Sequence, residues 1–306
     1  MSGALTRRDI LVVSASAAVS PTFASAAPAL TDWNAPVSAT PAARLRIKAR
    51  VMGTAGSGEV HRLSQGHCVA YLSERDEYVS LFSVLTYHVA RWALPQAEHR
   101  EFRQYEASLY TRFGTIEVLN EYQNPLTGAT NVPFHAIAGP IDVRLSAEST
   151  APGAGSDVRP QEFGWTINGG ILSIAQQSDL HIQNPVSREQ WPTIWSGPTL
   201  HFNTCSTVQA LWREAADERR PSVRAWTAYE QNASWPLWME MADRKGCLTT
   251  RGSGTKLTGL GEMAHEVRRA FEQYAPEMFA LDGWHARRDP LAEFLQRRRT
   301  GGSSHE

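Results

Sequence analysis

The sequence predicts a mainly β protein of the α+β kind: a large antiparallel sheet that curls or closes into a barrel, with a C-terminal helix. Three observations predict this. Short apolar–polar alternations recur along most of the chain, separated by turns containing Pro and Gly. Neither a βαβ alternation nor an internal repeat is present. One late segment carries apolar residues at helical steps.

The chain opens with an export signal. Arg7-Arg8 precede a mildly apolar stretch that reaches the small-x-small cleavage site Ala24-Ser25-Ala26. Residues 1–26 therefore read as a twin-arginine signal peptide, and the expected location is the periplasm. Residues 27–43, rich in Ala, Pro and Thr, read as a flexible leader. Residues 44–284 follow as one β-rich domain, and 285–306 as a solvated tail.

Within the domain, Arg44–Val51 alternates basic and apolar residues and reads as a half-buried strand with a wet basic face. Gly53–Gly58 makes a turn. Strands are expected over His67–Leu72, Tyr78–Trp92, Leu109–Leu119, Val132–Ile137 and Ile141–Leu145. Asn124-Pro125-Leu126-Thr127-Gly128 is a turn, Pro presetting φ and Gly supplying a permissive position. Ser149–Pro160, poor in apolar residues, is a loop or the seam between two halves of the sheet. Further strands are expected over Phe163–Ile167, Ile171–Ala175, Leu200–Trp212, Ser222–Tyr229, Lys245–Thr250 and Thr255–Leu257. Met263, Val267, Ala270, Phe271 and Tyr274 mark the helix, which Pro276 limits. A barrel of about eight or more strands, lipocalin-like, leaves room for a small ligand.

Composition narrows the function. A formal net charge of −1 argues against a nucleic-acid surface, which needs a basic face. No later stretch approaches about 18 uninterrupted apolar residues, so no stable membrane span is expected. Three cysteines, Cys68, Cys205 and Cys247, form no zinc-type pair and read as buried inert thiols. Walker, GxSxG and HExxH motifs are absent, and Gly164–Gly170 does not space its glycines as a dinucleotide loop does. No cofactor is expected.

Acid–base chemistry is left to His, Tyr and carboxylates. On a strand, Thr86, His88, Ala90 and Trp92 share one face, and Tyr87, Val89 and Arg91 the other. Arg91 either anchors a ligand anion or reaches solvent at a strand end. His135 lies on an apolar segment, as a base or as a core ring. Tyr110 and Tyr122 are candidate proton donors. His201 and Asn203 share a polar face that hints at a lined cavity, while Glu240 beside Trp235 and Trp238 suggests a carboxylate of raised pKa. The candidate catalytic set is His135, His88, Tyr122 and Tyr110. The candidate binding set is Arg91, His201, Asn203, Trp235, Trp238 and Glu240. His61, His67, Asp179 and His181 are the residues a metal site would use.

Four stretches taken together resemble a known family. Ile47-Lys48-Ala49-Arg50-Val51-Met52-Gly53, Tyr87–Trp92 with Arg91, Glu121–Gly128 with His135 shortly after, and Trp235–Gly246 are similar to DUF1838, an uncharacterised family often found behind twin-arginine signals. The similarity spans about Arg44 to Gly283. It implies a β-rich, barrel-like fold and no activity. Two places depart from the pattern: Gly139-Pro140-Ile141-Asp142 stands where an Asn-Asp-Pro element is expected, and Ala242 where Gly is usual. The leading expectation is a cofactor-independent lyase or isomerase acting on an aromatic or apolar small molecule in the barrel. A non-catalytic binding protein for such a molecule comes second, and a metal-dependent enzyme third.

Overall fold

Twelve strands run in chain order: β1 (Gly58–Leu72), β2 (Glu77–Trp92), β3 (Arg100–Thr111), β4 (Tyr122–Gln123), β5 (Thr130–Asn131), β6 (Ala136–Leu145), β7 (Thr150–Pro152), β8 (Gln161–Asn168), β9 (Ile171–Gln183), β10 (Thr199–Leu211), β11 (Trp226–Ala233) and β12 (Cys247–Leu257). The computed structural model describes residues 40–147, 150–152, 161–242, 244–286 and 289–301. The expected signal peptide and all but the end of the leader lie outside these residues.

Ten strands form one antiparallel sheet in the order β7-β6-β3-β2-β1-β12-β11-β10-β9-β8, and β4 pairs with β5 separately. Each half is a meander, interrupted only between β3 and β6, where the chain makes the separate β4–β5 pair. The halves join where β1 pairs with β12, from His61↔Leu257 to Tyr71↔Cys247. The two edges are β7, only three residues long, and β8. β7 falls inside the Ser149–Pro160 stretch read as loop or seam and β8 follows that stretch, of which 149 and 153–160 lie outside the described residues.

The sheet is an open, curled half-barrel, and one helix shows which face is concave. Helix α1 (Pro41–Met52) packs Leu45, Ala49 and Met52 with Trp92, Phe102 and Leu145. Its Ile47 and Val51 pack with Leu172, Ile174 and Val208. These partners belong to opposite halves. In a flat sheet β3 and β10, five steps apart, would be separated by about 24 Å. A helix about 10 Å across touches both only if the sheet wraps around it.

This helix corrects the strand expected over Arg44–Val51. The basic–apolar alternation is real, but the same residues also carry apolar side chains at i, i+4 and i+7, and a helix enclosed on two sides uses both sets. Thr40 caps it by accepting from the Ala43 N–H at 3.3 Å, and Pro41 opens its first turn. The basic side chains are wet only in part: Lys48 and Arg50 are buried, while Arg46 is exposed beside Glu218. Arg50 donates to the Ala215 carbonyl at 3.0 Å in the short helix α2 (Trp212–Ala215).

On the convex face, helix α3 (His265–Tyr274) sets Val267 and Phe271 against Leu85, Tyr87 and Leu109, as its spacing predicted. The other end of the concave face is filled by the Trp235–Met241 segment, whose Trp238 and Met239 pack with Phe82, Cys68, Leu248 and Tyr122. The expected tail contains helix α4 (Pro290–Gly301). Its Phe294 is 2 % exposed within that same cluster. Several strands are longer than the sequence suggested. β1 begins at Gly58 and β3 at Arg100, and β12 runs unbroken through Gly252 and Gly254. The thiols are all free, and only Cys68 is buried; Cys205 is exposed, against expectation.

Candidate active site

Register and alternation decide which side chains meet on the concave face. Directly paired residues point the same way, so Lys256↔Arg62, Arg62↔His88 and His88↔Glu106 form one row across β12, β1, β2 and β3. The next row toward the Trp238 end is Gly254, Ser64, Thr86 and Ser108, and the one after is Gly252, Gly66, Val84 and Tyr110. Between the α1 end and the Trp238 end, the half-barrel thus carries a polar belt.

His88 is the centre of the belt. Its Nδ1 lies 3.4 Å from Glu106 Oε2 and 3.3 Å from Gln104 Nε2. Among the described residues Nε2 has no partner. With the Gln104 amide turned to present its oxygen to the ring, Nδ1–H is donated to Glu106 and Nε2 keeps its lone pair. The ring lies deep within the curl, yet its side chain keeps 26 % exposure, as expected of a group lining a solvent-accessible concavity. Burial lowers its pKa, Glu106 raises it and Arg62 lowers it further. The β3–β6 pairing carries a bulge beside this pair, Gly139-Pro140 standing opposite Tyr105. That bulge occupies the first departure from the family pattern.

Tyr229 of β11 supplies a phenol to the same belt. Its ring lies across the paired glycines Gly66 and Gly252. A Cβ on Gly66 would come within 2.6 Å of Tyr229 Oη, and one on Gly252 within 2.6 Å of Cζ. Gly252 is required by close approach, since such a Cβ would also lie 2.6 Å from the Gln65 carbonyl. Burial pushes the Tyr229 pKa up to about 12, against the pull of the Ser64 hydroxyl. The phenol is thus a proton or hydrogen-bond donor near neutral pH. Lys256 does not take part: its Nζ lies within hydrogen-bond reach of the carbonyls of Arg50 and Gly53 and of the Ser222 hydroxyl, closing the end of α1, and burial, with Arg62 beside it, lowers its pKa to about 6.

Of the residues proposed from sequence, His88 and Tyr110 stand on the concave face. Tyr110 is at its Trp238 end, where burial raises its pKa to about 12. Tyr122, Trp235 and Trp238 are structural there: Tyr122 and Trp238 stack edge-on at 5.5 Å, and Trp235 donates to the Arg244 carbonyl at 2.9 Å. The Tyr122 hydroxyl is buried without a partner. Glu240 pairs with Arg298 of α4, a tie between elements and not a carboxylate facing a ligand. His135 accepts the Tyr110 backbone N–H through Nδ1 at 3.2 Å. A neutral ring in that bond carries its hydrogen on Nε2 and has no lone pair left to act as a base.

Arg91, His201 and Asn203 are on the convex side. Arg91 is held by Glu59 at 2.8 Å and Asp282 at 2.7 Å, with its side chain 36 % exposed. His201 meets His181 edge-on with centroids 4.3 Å apart, and His181 bonds Asp179 at 3.1 Å. His61 and His67 sit on β1, bonded to Tyr87 and Ser83. The four potential metal ligands therefore divide between β1 and β9. A shallow groove of about 480 Å³ also crosses the convex face beside Leu63, Leu85, Trp226 and Val267, but no titratable side chain lines it.

The sequence reading missed Arg62, Glu106 and Tyr229. Gln104-x-Glu106-x-Ser108-x-Tyr110 alternates with Tyr105, Ala107 and Leu109, a period-two signal that could have placed Glu106 on the face of His88. In comparison with family models, the model described as Protein of unknown function (DUF1838) matches residues 65–282, more than half of the chain. No curated protein matches.

Proposed function

The chain belongs to the DUF1838 family, and because that family's description assigns no activity we propose, from the site alone, a cofactor-independent acid–base enzyme of the lyase or isomerase type. The observation that carries this reading is the His88–Glu106 pair, with the imidazole Nε2 unpartnered on the concave face. His88 takes a proton from the substrate at Nε2. Glu106 accepts Nδ1–H and stabilises the imidazolium. Tyr229 donates a hydrogen bond to the oxygen on which charge develops. The proton then passes from His88 to another substrate position in an isomerisation, or to the departing group in an elimination.

The lining also revises the expected ligand. Ser64, Thr86, Gln104 and Ser108 surround the pair, so the substrate carries polar groups and is not purely apolar. A carrier would need only shape and a few polar contacts; the convergence of His, carboxylate and phenol favours chemistry. On the twin-arginine segment, we place this activity in the periplasm.

The test is turnover of a library of small aromatic and alicyclic hydroxy acids and ketones. His88→Gln and Glu106→Gln are expected to lower kcat by about 10²–10⁴-fold. Compounds that bind but emerge unchanged would establish the carrier instead.

A further inference from the structure

Most described arginines of this protein have an acceptor. Arg91, Arg103, Arg112, Arg224 and Arg251 face carboxylates. Arg50 and Arg100 donate to backbone carbonyls. Arg62 differs. It stands on the concave face between Lys256 and His88, and among the described residues its guanidinium has no hydrogen-bond or ion-pair partner. It is only partly exposed, and desolvation alone draws its pKa down to about 10. A charge held away from water without a counter-charge is costly, and such sites persist where a ligand supplies the missing partner.

The neighbours leave that place to a ligand. Lys256 is consumed by the α1 carbonyls, so it does not compete for an anion. Glu106 is occupied on the far side of His88. Along the strand, the next pair is Ser64 with Gly254, which offers little side-chain bulk, and beyond it Gly66 and Gly252 lie under the Tyr229 ring. Four residues on, about 13 Å along the strand, the lining becomes apolar at Val84, Tyr110 and Trp238.

We propose that Arg62 anchors the carboxylate of a small organic acid whose apolar body runs along the Ser64–Gly254 row toward Tyr110 and Trp238. This rests on the concave site proposed above, not on the chemistry assigned to it. The planar guanidinium fork suits a carboxylate in two-point contact. It also sets a carbon next to the carboxylate near His88, where a base is useful.

The probes are benzoate and phenylacetate with their neutral amides, titrated into the purified protein by calorimetry and followed by thermal shift. The acids are expected to bind saturably, and the amides at least about tenfold more weakly. Arg62→Met should lose the acids by a similar factor and, freed of a desolvated charge, should melt no lower than wild type. Should it melt early, Arg62→Lys, which keeps the charge without the fork, is expected to weaken acid binding about tenfold. Arg91→Ala, on the opposite face, should bind the acids as wild type does. The proposal is overturned if neither acid binds, if amides bind equally, or if the Arg62 variants bind undiminished. Acid binding through Arg62 without turnover of any compound sinks the acid–base reading alone. Turnover of a neutral compound that Arg62→Met leaves intact sinks this one alone.

Discussion

Asn124 donates its side-chain amide to the carbonyl of Met239 at 3.1 Å, tying the Asn-Pro turn to the segment that fills one end of the half-barrel. The same amide reaches Met241 Sδ at 3.4 Å, and Oδ1 accepts the Leu126 N–H at 3.0 Å. Two of the motifs that resemble the family are thus two sides of one buried contact. Asn124→Ala removes the donor, orphans a buried carbonyl and opens a void. A loss of about 2–3 kcal/mol is expected in urea denaturation. A loss under about 0.5 kcal/mol would show that the clamp is dispensable.

Ala242 explains the second departure from the family pattern. Its φ is 49°, the left-handed region where an L side chain is strained by about 1–2 kcal/mol and Gly is not. After Gly's larger unfolded-state entropy is counted, Ala242→Gly is expected to stabilise by about 0.5–1 kcal/mol. An unchanged or lower denaturation midpoint would contradict this.

Gly252→Ala should do the reverse. The new methyl would lie 2.6 Å from the Gln65 carbonyl and from Tyr229 Cζ. The carbonyl belongs to the paired strand and cannot swing away, so a destabilisation of about 1–3 kcal/mol is expected. Tyr229 fluorescence or reactivity should change with it. Unaltered Tyr229 behaviour would refute its placement over the glycine pair.

Stability should fall in mild acid. His61 and His88 both have folded pKa values lowered below the ordinary 6.5, chiefly by burial. The unfolded chain therefore binds more protons in this range. The stability their neutral forms contribute is complete above about pH 6.5 and is lost as pH falls toward the lowered folded values. Urea midpoints between pH 8 and pH 5 should decline, and His88→Gln should flatten the decline. An identical slope in wild type and variant would exclude His88 as a contributor.

Arg91→Ala should matter little despite its two short ion pairs. The Arg91 side chain is 36 % exposed, and Asp282 is 94 % exposed. Pairs of this kind are worth less than about 1 kcal/mol, and Arg91 lies on the face opposite His88. Loss of turnover in this variant would mean that the site extends through the sheet.

The strands were legible because burial on one face imposes period two, which survives even where exact ends do not. Arg44–Val51 misled because a basic–apolar alternation and an i, i+4, i+7 apolar set coexist there, and only enclosure by both halves of the sheet selects the helix. His88 was legible from its neighbours on one strand. Arg62 and Tyr229 were not: their membership of the site depends on cross-strand register, which joins residues that sequence spacing does not. Glu106 lay in a charged stretch that did not read as a strand. The Trp and Tyr residues looked like a ligand's aromatic cage, whereas most of them fill an end of the half-barrel.

The junction of β1 with β12 has a consequence for how the protein forms. Each meander is stitched by hairpins between neighbours in the chain, but Cys68 and Thr250, bonded across the junction, are 182 positions apart. Closing so long a loop is slow compared with zipping a hairpin. Arg62, His88 and Glu106 lie on one side of that junction and Tyr229 on the other. Folding of either half alone therefore yields an incomplete lining, and the belt from Tyr229 to Glu106 is assembled only when the β1–β12 junction forms.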